Sequence, residues 1–122
     1  MITAIWVGVA GFFGALTRYA VQGLVSQPDE TFPWGTFAVN VGGSFLLGLL
    51  VALFSHRVVV HADLRVALTV GFLGSYTTFS TLMLESYELG ETGLPWMGMV
   101  NVTASIVAGF IALWLGLELG NG

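Results

Sequence analysis

The chain has 122 residues, of which 56% are hydrophobic and 8% charged, with a formal charge of −4 and no lysine. A soluble domain carries about 25% charged residues, so a surface this poor in charge belongs in lipid and the chain reads as an integral membrane protein. Its three arginines are too few for a nucleic-acid patch, and the absence of cysteine removes disulfides, thiolate metal sites and thiol catalysis.

Crossing the hydrocarbon core takes about 20 apolar residues. Four runs meet this, at about 2–25, 34–54, 64–87 and 96–117, which predicts an all-α transmembrane domain of four helices spanning residues 1–122. The first run lacks a basic n-region and a small-residue cleavage site, so it is expected to stay as a span rather than leave as a signal peptide. The connections are short, which makes neighbouring helices antiparallel and puts both termini on one side. Trp6, Trp34, Trp96 and Trp114 fall near run ends, where interfacial aromatic belts sit.

Glycine recurs at Gly8, Gly11 and Gly14 in the first run, at Gly42, Gly43 and Gly48 in the second, and at Gly109 and Gly116 in the fourth. Small residues let helix backbones approach in lipid, so these positions are expected to form packing seams, some of them against a second subunit. Arg57 and Arg65 flank the second connection, while Arg18 lies near the far end of the first helix. The count leans towards both termini inside by one charge, and so near a balance is what insertion in both orientations would produce.

The third run is the least comfortable as a plain anchor. Gly71 and Gly74 are followed by Ser75, Tyr76, Thr77, Thr78, Ser80 and Thr81, and lipid gives their hydroxyls nothing to bond. The two glycines and the β-branched pair Thr77–Thr78 predict an interrupted helix, whose freed backbone carbonyls suit a cation, against the simpler reading of glycine packing. Asn40 stands about six residues past its helix start, roughly 9 Å into the bilayer at 1.5 Å per residue. Asn101 is similarly deep in the fourth helix, and Ser105 follows one turn later on the same face. Each asparagine alone reads as glue between helices; with the hydroxyl-rich third run they read as a polar track.

The helix centres carry no Asp or Glu, and Glu85, the nearest, lies towards the end of the third run, in the bundle or at the headgroups. What the track offers is uncharged donors and aromatic edges, which suit a small anion held lightly enough to leave. No glycine-rich loop meets the P-loop pattern, and His56 and His61 sit in a connection where solvation is the plain expectation. No enzymatic chemistry is expected.

At these residues the chain resembles the small bacterial fluoride channels, the Fluc or CrcB family. The resemblance lies in VAGFFGALTRY through Arg18, GTFAVNVGGSFLLG around Asn40, and GSYTTFST with Glu85, and it covers essentially the whole chain. It implies a fluoride-selective channel that passively exports F⁻ from a prokaryotic cytoplasm, as a multi-pass protein of the cell membrane. It further implies a dual-topology antiparallel homodimer with two anion pathways, and a central structural Na⁺ on the backbone carbonyls of Gly74 and Thr77. Asn40, Phe79, Ser80 and Thr81 are implied to line the pathway, with Asn101 and Ser105 of the fourth helix on its remaining wall.

Two departures bear on this. Leu82 stands where many members have a second phenylalanine, and Asn101 where a tyrosine is common. They support an alternative, a pore-deficient partner subunit of a heterodimeric fluoride channel. A small multidrug-type transporter fits less well, because its first helix should carry a mid-membrane glutamate and this one has no carboxylate.

Overall fold

The computed structural model describes residues 1–122 and contains helices and no strands. Four helical spans are long and apolar enough to cross a membrane: Ile2–Val25, Trp34–His56, Ala62–Glu91 and Pro95–Asn121. The first two are α1 and α2. The third is composite: α3 (Ala62–Val66), a π-helical turn (Ala67–Phe72), α4 (Leu73–Tyr76), and, after a two-residue break, α5 (Phe79–Glu91). The fourth is α6, which opens on Pro95, where a missing N–H costs nothing. The predicted runs match these spans, with ends displaced by up to four residues. The displacement is greatest where α6 runs on to Asn121 and the third span to Glu91.

The bundle is assembled from glycine contacts. On the seam between α2 and α6, a methyl added at Gly48 would overlap the carbonyl of Leu113, and one at Gly116 that of Phe45. Gly109 likewise stands near Ser44 and Gly120 against Ala52, so contacts climb both helices together and α2 and α6 run parallel, with backbones so close that no side chain fits at Gly48 or Gly116. The first and third spans form the other parallel pair: a methyl at Gly14 would overlap the carbonyl of Phe72, and one at Gly71 would stand 2.7 Å from the carbonyl of Val7. Thr3 closes the same pair at its start, donating from Oγ1 to Asp63 Oδ1 at 2.6 Å.

Only 19 of the 122 residues are buried within the chain, while Phe12, Phe13, Ile106 and Phe110 are among many large apolar side chains left outside. That inversion is expected of a bundle whose exterior meets lipid or another apolar surface. Charge is divided between the ends. The end where α2 gives way to the third span carries Arg57, His61, Asp63, Arg65 and Glu118, whereas the opposite end carries only the acids Asp29, Glu30, Glu88 and Glu91. Arg18 belongs to neither rim: it is half-buried within α1 and bonded into the third span.

Gly116→Val is expected to lower the melting temperature of the purified protein in detergent, since overpacking a tight seam costs about 1–3 kcal/mol or more. Gly23→Ala, whose methyl would meet nothing within 4 Å, should leave it unchanged or raise it slightly through helix propensity.

Candidate functional site

The site is built around the break in the third span. Thr77 (φ −84°, ψ 157°) and Thr78 (φ −147°, ψ 118°) are extended, so α4 stops at Tyr76 and a new helix begins at Phe79. Threonines favour such a place because their hydroxyls compete with the helical hydrogen bonds. Thr78 caps the new helix, its Oγ1 accepting from the Thr81 N–H at 3.3 Å and donating to Thr81 Oγ1 at 3.0 Å.

An interruption in lipid strands backbone groups, and two side chains from other helices collect them. Asn40 of α2 pairs with Thr78 at both ends of its amide: Nδ2 donates to the Thr78 carbonyl at 2.9 Å, and Oδ1 accepts from the Thr78 N–H at 2.8 Å. Arg18 of α1 donates from Nε to the Ser75 carbonyl at 3.1 Å. Gly43 permits the approach, because a methyl there would overlap the Thr77 side chain.

Some carbonyls stay uncollected. Thr77 accepts no backbone hydrogen bond, and the N–H that would ordinarily serve the Gly74 carbonyl, that of Thr78, is taken by Asn40. The position of Gly74 is open, with nothing within 4 Å of where a side chain would begin.

Beside the break lies a cavity of about 320 Å³, lined by Asn40, Gly43, Ser44, Gly74, Thr77, Thr78, Phe79, Leu82 and Ser105, together with Thr69 and apolar neighbours. The structure therefore brings Asn40, Phe79, Ser105, Gly74 and Thr77 together at one place. Ser80 is exposed and Thr81 is turned into the Thr78 cap; neither lines this cavity. Asn101 does not line it either. It is completely buried, and its Nδ2 donates to Ser86 Oγ at 2.9 Å. Phe79 presents its ring outward, 73% exposed, while Leu82 is buried in the cavity wall. The cavity contains no ionised group; its polar atoms are amide, hydroxyl and backbone.

Glu85 lies further along α5, half-buried, in a polar cavity of about 450 Å³ that it shares with Glu30 and Glu88. Neither Glu85 Oε1 nor Glu30 Oε2 has a hydrogen-bond partner in the chain.

Residues 5–117 match the model of the family described as CrcB-like protein, Camphor Resistance (CrcB). The chain belongs to the CrcB-like family. Over 118 residues it is 42% identical to the fluoride-specific ion channel FluC of Geotalea daltonii, covering 96% of this chain and 95% of that protein. It is 45% identical over 118 residues to the fluoride-specific ion channel FluC 1 of Symbiobacterium thermophilum, covering 95% of each. A third relative, the fluoride-specific ion channel FluC of Magnetococcus marinus, is 40% identical over 117 residues, with 95% of each chain covered.

In this CrcB-like chain the sequence reading missed one residue at the break. Arg18 had a signal, since a guanidinium several residues inside an apolar run must find an acceptor in protein.

Replacing Asn40 by Ala leaves both polar groups of Thr78 without a partner, at about 1–3 kcal/mol each. Hydrogen exchange at the Thr78 amide should quicken by tenfold or more, while exchange in α6 stays unchanged; equal rates in the two proteins would show that the amide pair does not hold the break.

Proposed function

We propose that this bacterial multi-pass membrane protein is a fluoride-selective channel that exports F⁻ passively. One observation carries the reading. The cavity at the helix break is faced by Asn40, Ser44, Thr78, Ser105 and the Phe79 ring, with no charge, in a chain about 40% identical along nearly its whole length to proteins named fluoride-specific ion channels. Neutral donors replace part of the hydration shell of a small anion without binding it so tightly that it stays. The Asn40 amide spends one N–H on Thr78 and keeps a second for an anion. Phe79 contributes a ring whose positive edge attracts an anion. Ser80 and Thr81, next along α5, continue the route away from the cavity, and Asn101 braces the wall opposite.

Passive flow is sufficient. Hydrogen fluoride crosses lipid uncharged and dissociates in a neutral cytoplasm, trapping F⁻ inside. An inside-negative potential of about 100 mV then favours exit by about 2.3 kcal/mol per charge.

Assembly as an antiparallel homodimer is supported by what this chain leaves bare. Gly8, Gly42 and Gly74 meet nothing within the chain, and Phe79, on the cavity, is mostly exposed, so both surfaces suit cover by a second copy. The Gly74 and Thr77 carbonyls, left without backbone donors, are fitted to a structural Na⁺ where two breaks meet. Such an ion supplies a fixed positive charge and ties the two interruptions together. The rival reading, a partner subunit for a second gene product, draws on Leu82, which puts an aliphatic side chain in the wall where an aromatic edge would attract an anion.

The purified chain in liposomes should release F⁻ and retain Cl⁻; silence relieved only by a second gene product favours the partner subunit, and proton-coupled loss of organic cations rules out both. Asn40→Asp or Phe79→Ile is expected to cut fluoride efflux at least tenfold with the oligomer intact by cross-linking. Wild-type flux in both would remove those residues from the pathway. Exchanging Na⁺ for a large organic cation during purification should lower the melting temperature if the carbonyl site is occupied by sodium, and leave it unmoved if it is not.

A further inference from the structure

The cavity beside the break is short of free donors. Thr78 spends its hydroxyl on Thr81 Oγ1, and Asn40 spends one N–H on the Thr78 carbonyl. Ser105 lines the wall, but its oxygen has almost no exposure. One side-chain N–H remains uncommitted, the second of Asn40. An anion entering here gives up a shell of water donors, and a single N–H replaces little of it.

Two further hydroxyls stand on the same cavity, on different helices. Ser44 is one turn past Asn40 on α2, and Thr69 is two turns before the break in the third span. Both are displaced from the break towards the end that carries Arg57 and Arg65. Each residue is half-buried, and each hydroxyl donates to the carbonyl four residues back, Ser44 to Asn40 at 2.8 Å and Thr69 to Arg65 at 2.8 Å. That bond is ordinary in helices, and Thr17 and Ser86 make it away from this cavity. Thr77 makes it on the cavity, but its side chain is wedged against Gly43. What sets Ser44 and Thr69 apart is a committed hydroxyl with open space in front of its residue.

We infer that Ser44 and Thr69 are reserve donors for the anion route: each hydroxyl turns from its own helix's carbonyl to an arriving fluoride ion, and turns back when the ion moves on. The exchange needs rotation about side-chain bonds and no movement of a helix. It leaves the Asn40 carbonyl with its α-helical partner, the N–H of Ser44, so no buried acceptor is orphaned. The Arg65 carbonyl belongs to an exposed residue near the rim. The same exchange separates halides, because a hydroxyl already bonded gains only the difference between its two bonds. F⁻ concentrates its charge in a small ion, and bonds to an ionised acceptor are about twice as strong as neutral ones. Cl⁻ is larger and accepts more weakly, so it draws little from hydroxyls that are already satisfied. Ser44 and Thr69 on this account determine specificity. The inference rests on the fluoride-channel reading and adds to it two residues on the arginine side of the break.

The test is efflux of F⁻ and Cl⁻ from liposomes carrying the purified wild-type protein or a variant. Ser44→Ala and Thr69→Val are each expected to slow F⁻ efflux by roughly tenfold, as loss of a hydrogen bond to a charge implies. Any Cl⁻ leak should stay as it was, so the preference for F⁻ narrows. Melting temperatures in fluoride-free detergent should match the wild type, because a bond to the helix's own carbonyl adds little stability. Thr69→Ser keeps the hydroxyl and should keep most of the flux. Thr17→Val removes the same kind of bond outside the cavity and should keep all of it. The two residues lie on different helices, so either variant alone carries the test if the other does not assemble. Wild-type F⁻ efflux and F⁻ preference in an assembled Ser44→Ala or Thr69→Val protein, or an equal loss in Thr17→Val, would overturn the inference and leave the channel reading standing. A wild-type chain that passes no fluoride would overturn both.

Discussion

The amide of Asn40 against the backbone of Thr78 is the contact on which the rest of the site depends. A helix that stops in mid-membrane has N–H and C=O groups that neither lipid nor the next turn will take. Asparagine is a fitting answer because its side chain presents a donor and an acceptor with the spacing of a peptide group, so it serves both halves of one residue. With Thr78 held extended, α5 can begin at once under the Thr78 cap, and Phe79 is carried to the mouth of the cavity. Without that pairing the span would gain by closing into a continuous helix, and the cavity would lose the wall that makes it polar.

The glycine seams serve the same end at larger scale. Asn40 can reach the break because Gly43, one turn along α2, allows Thr77 to come up against the backbone. The first and third spans are in turn locked by Gly14 and Gly71, and this places Arg18 at the Ser75 carbonyl. The interruption is thus approached from two sides, by α1 and by α2. The π-helical turn, separated from it by α4, lies on the surface that α1 covers, where the close approach of the Phe72 carbonyl to Gly14 is made.

The spans were readable from sequence because lipid demands long unbroken apolarity, a signal that survives every detail of packing. The break was readable as well, since glycines followed by paired threonines go against both propensity and solvent. Pairings across helices were another matter. That Asn40 would face Thr78, rather than a side chain of its own neighbour, depends on the register that Gly43 sets, and no local pattern records it. Asn101 shows the same limit from the other direction: its depth marked it as polar and buried, yet only the position of Ser86 decides which way its amide turns. The resemblance to the fluoride channels gathered Asn40, Phe79 and Ser105 into one place, which spacing alone did not do.

A last consequence concerns heredity. Much of what Asn40 and Arg18 grasp at the break is main chain, and main-chain atoms are present whatever residue is encoded. Mutation at 75 or 78 therefore leaves the grasped carbonyls in being, whereas mutation at 18 or 40 removes the hand that holds them. The burden of preserving this interruption is therefore shared between the Thr78 cap within it and residues far away in the sequence.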